Sequence, residues 1–74
     1  PQDEMGNVIS GNVITVETHN SIIQGGEKLM ALVGVRGMIA VDTGDALLLC
    51  DKDSTGEMKR VLENLRAQGR AQYL

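Results

Sequence analysis

The segment VITVETHNSII at residues 13–23 has a counterpart further along the chain, MIAVDTGDALL at residues 38–48. The identical positions alternate along the segment: Ile14 and Ile39, Val16 and Val41, Thr18 and Thr43. Side chains of a β-strand alternate between two faces, so identities at every second position indicate a conserved strand face. The repeat predicts that these three pairs stack on one another in a shared interior.

Apolar runs separated by turn residues predict strands near 12–17, 21–24, 28–35, 38–42 and 45–50. Each repeat unit then contains three short strands, and stacking the units places strand 38–42 beside strand 12–17 in parallel. Because a single coil cannot bury its inner face, coils must stack. Residues 1–53 therefore predict a mostly β fold, a short parallel β-helix of two coils. An antiparallel meander or a small barrel built from the same strands stays open, and the pattern does not set the handedness.

The next segment, residues 54–69, predicts one C-terminal amphipathic α-helix, followed by a tail at 70–74 in the same domain. Ser54 and Glu57 form a capping-box pattern, and Gly69 suits the left-handed position after a helix. An apolar stripe recurs at helical spacing: Met58, Val61, Leu62 and Leu65. Residues 46–50 are apolar on both strand faces, so we expect the helix to pack on the coils there.

The chain has more apolar side chains than two thin coils can bury. By the alternation, four large side chains would point outward: Val13, Met30, Leu32 and Met38. Extended apolar patches mark interaction sites, so the sequence predicts an interaction module that binds another subunit or another domain of its own chain. Because the chain begins with Pro1 and not with Met, we expect a piece of a longer protein.

Composition excludes several classes of protein. Aromatic residues make up 1% of the chain and the net charge is −3, without a basic run, which argues against a nucleic-acid partner. One cysteine and one histidine exclude an internal disulfide and a Cys/His zinc site. No apolar run approaches the roughly 20 residues that span a bilayer, and no signal peptide opens the chain. We expect no membrane association and a cytoplasmic location.

Catalytic candidates are weak. His19 lies in a predicted turn and Cys50 in an apolar run, so neither forms part of a recognisable triad. We expect no catalytic, cofactor-binding, metal or small-molecule site in these 74 residues. The weak exception is an acidic edge of Glu17, Asp42 and Asp45. Stacked coils would place Glu17 and Asp42 roughly 5 Å apart, where they could attract a cation.

Several segments, taken in order, resemble the C-terminal region of bacterial mannose-1-phosphate guanylyltransferases (GDP-mannose pyrophosphorylases). They are Asp3-Glu4, Gly6-Asn7-Val8, Gly11-Asn12-Val13, NSII at 20–23, Val33-Gly34-Val35, VDTGDALL at 41–48 and Asp51-Lys52-Asp53, with a Gly69-Arg70…Tyr73-Leu74 ending. The run at 41–48 with the following Asp-Lys-Asp is the most specific. Two positions depart from the family: Gly44 replaces a usual Pro, and Ser54 often corresponds to Arg.

The resemblance implies a left-handed β-helix with a terminal helix, associated with subunit assembly as a homo-oligomer, such as a dimer. It also implies a preceding catalytic domain, absent here, that binds GTP and joins it to mannose 1-phosphate with Mg²⁺, giving GDP-mannose and pyrophosphate. Two rival interpretations are a free-standing binding module that uses the acidic edge, and the tail of another sugar-phosphate nucleotidyltransferase. Tails of the latter kind usually show hexapeptide repeats, which this chain lacks.

Overall fold

A computed structural model describes residues 2–73, without the side chain of residue 71; Pro1 and Leu74 lie outside the described residues. The strands are β1 (Val8–Ser10), β2 (Val13–Val16), β3 (Ile22–Gln24), β4 (Met30–Val33), β5 (Met38–Asp42) and β6 (Leu47–Asp51). A 3₁₀ helix (Lys52–Glu57), the helix α1 (Met58–Ala67) and a second 3₁₀ helix (Ala71–Tyr73) follow. The predicted mostly β fold with one C-terminal α-helix is confirmed.

Strands β1 to β5 alternate between two sheets. The first sheet has the order β1-β3-β5-β6, and the second has the order β2-β4. Neighbours from β1 to β5 run in parallel, and a parallel bridge between His19 and Arg36 adds a third side. This winding is that of a parallel β-helix, so the antiparallel meander does not apply to β1–β5. The last strand reverses, because β6 pairs with β5 in the antiparallel sense.

The register differs from the stacking that the repeat predicts. Ile14 pairs with Ala31, whereas Ile39 pairs with Ile22 in the other sheet. The predicted stacking pairs Ile14/Ile39, Val16/Val41 and Thr18/Thr43 are therefore wrong. Val8 pairs with Ile22, and Ile22 pairs with Ile39. The second coil, from Ile22 to Ile39, is therefore three residues longer than the first coil, from Val8 to Ile22. The additional positions lie in the bend at 25–29, which is longer than the equivalent turn at 11–12.

Along β2, β4 and β5 the interior face is also the opposite of the predicted one, although Thr18 after β2 is buried as expected. The four residues expected to point outward are buried or half-buried: Val13, Met30, Leu32 and Met38. Ile14 and Val16, expected inside, are 53% and 51% exposed. Both faces of β2 carry apolar side chains, so the alternation defines two faces without indicating which one is covered.

The core is small and lies between the two sheets. Ile23 and Ala40 from the first sheet and Leu32 from the second are its buried apolar residues. Four half-buried side chains pack around them: Ile9, Val13, Met30 and Val35. Ile23 lies directly above Ala40 in the strand register, so each turn of the coil covers the apolar side chain of the next.

A buried polar ladder ties one corner of each turn to the next. The Asn7 side chain donates to the Thr18 carbonyl (2.7 Å), and its Oδ1 accepts from the Ser21 N–H (2.9 Å). The Ser21 hydroxyl in turn accepts from the Met38 N–H (3.1 Å) and donates to the His19 carbonyl (3.1 Å). Asn7, Thr18 and Ser21 are each at most 1% exposed; the two Asn7 bonds are buried, and the two bonds of the Ser21 hydroxyl are partly buried. Polar groups buried in this way stabilise a fold only when their partners are present.

The start of the helix differs from the prediction. The prediction of a capping box at Ser54 and Glu57 is wrong, because residues 52–57 form a 3₁₀ helix and α1 begins at Met58 without a side-chain cap. The Ser54 hydroxyl donates to Asp51 Oδ2 (3.3 Å) and is thereby drawn away from the N–H groups that it would cap.

The end of the helix is as predicted. Gly69 has φ +71°, the left-handed conformation that glycine adopts without a steric penalty. The Gly69 N–H donates to the Arg66 carbonyl (3.2 Å), and the Arg70 N–H donates to the Leu65 carbonyl (2.7 Å). This pair of bonds is a Schellman motif, which satisfies carbonyls left free at the helix terminus.

Helix α1 does not cover the coils. None of its residues is buried, and its contacts are chiefly with the two 3₁₀ helices. The radius of gyration is 13.3 Å, against about 11 Å for a compact domain of this length. The expectation that the helix packs on residues 46–50 is therefore wrong for a single chain.

Candidate interaction surface

An apolar groove opens at the end of the coil stack, between β4 and the β5–β6 hairpin. Its volume is about 670 Å³, and we call it the coil-end groove; its apolar lining includes Leu29, Leu32, Val33, Ala40, Leu47 and Leu49. The groove forms because β6 extends the first sheet beyond β5, whereas the second sheet ends at β4. The groove wall formed by β5 and β6 therefore extends beyond the wall formed by β4.

Three leucines of the groove are unusually exposed. Leu47 and Leu49 on β6 are 73% and 70% exposed, and Leu29 is 57% exposed. Leu49 pairs with Ala40 across the sheet and lies on the inner face, which is the face that the fold buries elsewhere. Within residues 2–73, strand β4 has only one neighbouring strand in its sheet, so its other edge offers free backbone groups. The groove therefore combines apolar side chains with an unpaired strand edge, features typical of an interaction site.

The predicted acidic edge is not assembled. Asp42 lies beside Gly26 and its Oδ1 accepts from the Gly44 N–H (2.8 Å), whereas Glu17 follows β2, where the neighbouring backbone is that of Gly34. The expected proximity of Glu17 and Asp42 is therefore wrong, because it depended on the register of the sequence repeat. Asp42 and Asp45 do lie together on the rim of the coil-end groove, with Lys28.

These carboxylates do not fit the Mg²⁺ that the family resemblance implies for the whole enzyme. Residues 2–73 contain no group of three or more His, Cys, Asp or Glu side chains that could hold a metal ion. One Asp42 oxygen is already engaged by a backbone N–H within its own turn.

The two residues considered for catalysis lie apart. His19 forms the bridge to Arg36 on the third side of the coil, and Cys50 is a half-buried free thiol on β6. The Asp3 carboxylate accepts a hydrogen bond from the Asn7 N–H, which holds the pKa of Asp3 below the ordinary 3.8, and the charge of His19 lowers this pKa further. The described chain does not bring a nucleophile and a base together at either place.

The helix stripe, Met58, Val61, Leu62 and Leu65, forms a second apolar surface, which is half-buried at Met58 and Leu65. Val61 and Leu62 are 43% and 40% exposed. Lys59 and Arg66 lie two turns, about 10 Å, apart along one flank of the stripe, with Glu63 beside them. Arg60 lies further round and pairs with Glu57 at 3.2 Å. The helix thus presents an apolar face with a basic margin.

Sequence reasoning missed the groove and the polar ladder. The double-sided apolarity of residues 46–50 is a usable signal for the groove, but it equally fits a strand covered by the helix. The ladder has a weaker signal, since Asn7 and Ser21 are ordinary turn residues until the coil register brings them together.

Comparison with known proteins places this geometry in a family. A family model described as the MannoseP isomerase/GMP-like beta-helix domain matches residues 11–65. The chain belongs to this family. The match covers the coil from β2 onward and most of α1. The family description agrees with the parallel coil and identifies this chain as a C-terminal β-helix region of the kind that the sequence resembles.

Relatives of the family match almost the whole chain. A putative mannose-1-phosphate guanylyltransferase from Vibrio cholerae is 40% identical over 97% of this chain, and one from Escherichia coli K12 is 37% identical over 92%. The chain spans 16% and 14% of the lengths of these two relatives. A crystal structure from Thermus thermophilus, named mannose-1-phosphate geranyltransferase, matches with a TM-score of 0.76 and 27% identity. That match covers 88% of this chain and 20% of the Thermus chain.

Among residues 2–73, no helix has the length and apolar character needed to cross a membrane.

Proposed function

We propose that this β-helix domain is the C-terminal assembly region of a mannose-1-phosphate guanylyltransferase and that it carries out no chemistry itself. The observation that carries the proposal is the extent of the match to the Vibrio relative. The match includes 97% of this chain but only 16% of the length of that relative. A nucleotidyltransferase active site would then belong to the remainder of such an enzyme. That remainder would bind GTP, with Mg²⁺, and form GDP-mannose from mannose 1-phosphate in the cytoplasm.

The coil-end groove and the helix stripe support an assembly role. Leu47 and Leu49 expose most of their surface at the groove, although their face of the sheet is buried elsewhere. Burying such side chains is favourable by roughly 1.5–3 kcal/mol each, so a partner that covers both gains a useful share of its binding free energy here. The proposed partners are a second copy, giving a dimer, and the catalytic domain of the same enzyme.

The proposal includes the hand and extent of the coil. We infer a left-handed winding of two turns, because the family resemblance implies that hand and because β3 stacks on β1 and β4 on β2. A crystal structure of the chain would test both points. A right-handed connection between the two sheets would overturn this part of the proposal without affecting the family.

Two measurements test the function. Incubation of the chain with GTP, mannose 1-phosphate and Mg²⁺ is expected to yield no GDP-mannose above background, with a full-length guanylyltransferase as the positive control. Sedimentation equilibrium of the chain is expected to show self-association. GDP-mannose formation would contradict the non-catalytic role, and a strictly monomeric chain that also fails to bind a catalytic domain would contradict the assembly role.

A further inference from the structure

We propose that the helix stripe of one copy occupies the coil-end groove of a second copy, and that the second copy returns the same contact. This inference rests on the proposed assembly function and names its partner. Both surfaces belong to one chain, and the chain leaves each of them partly exposed. A reciprocal exchange covers the two together and closes after two copies, as a two-fold arrangement does.

The two surfaces match in apolar character. Val61 and Leu62 on α1 are 43% and 40% exposed, and Leu47 and Leu49 in the groove are 73% and 70% exposed. An amphipathic helix binds an apolar groove through residues at i, i+3, i+4 and i+7, which is the spacing of the helix stripe. The 670 Å³ of the groove is of the size that takes in several such side chains.

The margins match in charge. Asp42 and Asp45 lie on the rim of the groove with one cation, Lys28. Lys59 and Arg66 flank the helix stripe, and neither forms a salt bridge within the described part of the chain. The docked helix can therefore place its basic margin along the acidic part of the rim, which favours this partner over an acidic one.

The helix is held away from the groove of its own chain. The Lys52 N–H donates to the Gly37 carbonyl (2.8 Å), and its ammonium donates to the Asn20 carbonyl (3.1 Å). These bonds fix the exit of the chain at the Asp51 end of β6, where Asp51 pairs with Met38. The groove rim lies around the turn at the opposite end of that strand. Helix α1 leaves the coil from the end of β6 away from this rim and contacts chiefly the two 3₁₀ helices, so a second copy can fill the groove with the fold as it stands.

Cross-linking between two tagged copies tests the contact. In a Cys50→Ser background, one copy carries Leu62→Cys and the other, with a different tag, carries Leu47→Cys. Under mild oxidation we expect a disulfide between the differently tagged copies, in a chain that sediments as a dimer. A dimer without this disulfide, as when β4 edges pair instead, overturns the inference but leaves the assembly function. A monomer overturns the inference, and it overturns the assembly function as well only if the chain also fails to bind a catalytic domain. A disulfide within one chain carrying both cysteines at high dilution overturns the exchange.

A charge placed in the helix stripe provides a second measurement. Leu62→Asp is expected to raise the dimer dissociation constant by about 100-fold, as for an anchor at the centre of an interface. Asn64→Asp adds the same charge to the same helix outside the stripe and is expected to change the constant by less than about threefold. Equal effects of the two variants, with helix content unchanged by circular dichroism, contradict the inference.

Discussion

Replacing Asn7 by Ala is expected to destabilise the coil far more than its side-chain size suggests. The Asn7 amide donates to the Thr18 carbonyl (2.7 Å) and accepts from the Ser21 N–H (2.9 Å), and both bonds are buried. Ala satisfies neither group, and each buried polar group left without a partner costs about 1–3 kcal/mol. The sum, about 2–6 kcal/mol, is comparable with the whole stability of a small domain, which begins near 5 kcal/mol.

Asn12 supplies the matched control. Its side-chain amide also donates to a backbone carbonyl of the next turn, that of Glu27 (3.1 Å), but this bond is exposed. Water replaces the lost partner, so Asn12→Ala is expected to cost about 0.5–1 kcal/mol. Urea unfolding followed by far-ultraviolet circular dichroism gives both free energies. If Asn7→Ala destabilises the chain by no more than Asn12→Ala, the ladder does not stabilise the coil in the way described.

Three further predictions follow from the coil. Gly11 has φ +84° and a Cβ there would meet the backbone of the next turn, so Gly11→Ala is expected to abolish cooperative thermal unfolding. Gly34→Ala, at φ +69° in open space, is expected to cost about 1–2 kcal/mol. Ile23→Ala is expected to cost about 2–5 kcal/mol in urea unfolding because Ile23 is 1% exposed; the same change at half-exposed Ile14 is expected to cost less. The lowered pKa of Asp3 means that its carboxylate stabilises the fold above the ordinary value of 3.8 and stops doing so as the pH falls through the lowered pKa. The stability difference between the chain and Asp3→Asn is therefore expected to vanish in acid, and a difference that stays constant from neutral pH into strong acid would contradict this role.

The sequence determined the helix end and the class of fold better than it determined the register. Gly69 and the spacing of the helix stripe act locally, so they could be identified without knowledge of the tertiary structure. The register depends on the length of each turn of the coil, and the turn from Ile22 to Ile39 is longer than the turn from Val8 to Ile22. A search for one constant offset cannot detect unequal turns. The sequence repeat aligned strands from different sheets.

The interaction surface could be predicted only in part. Sequence alone predicted that apolar surface would remain uncovered, but the exposed residues are Leu47 and Leu49, in the stretch that the helix was expected to cover. It did not indicate where, because the location depends on the reversal of β6 and on the end of the second sheet at β4. Both features are tertiary. The prediction of the helix start failed for a local reason, since the Ser54 hydroxyl donates to Asp51 Oδ2.

The unequal turns of the coil separate its scaffold from its recognition surface. The bend at 25–29 takes up the additional positions while the strands on both sides stay in parallel register. That bend also contributes Lys28 and Leu29 to one wall of the groove. Substitutions at the exposed Lys28 and Leu29 would reshape the wall and leave the ladder and the core unchanged. Evolution can thus alter the choice of partner at this bend without refolding the protein.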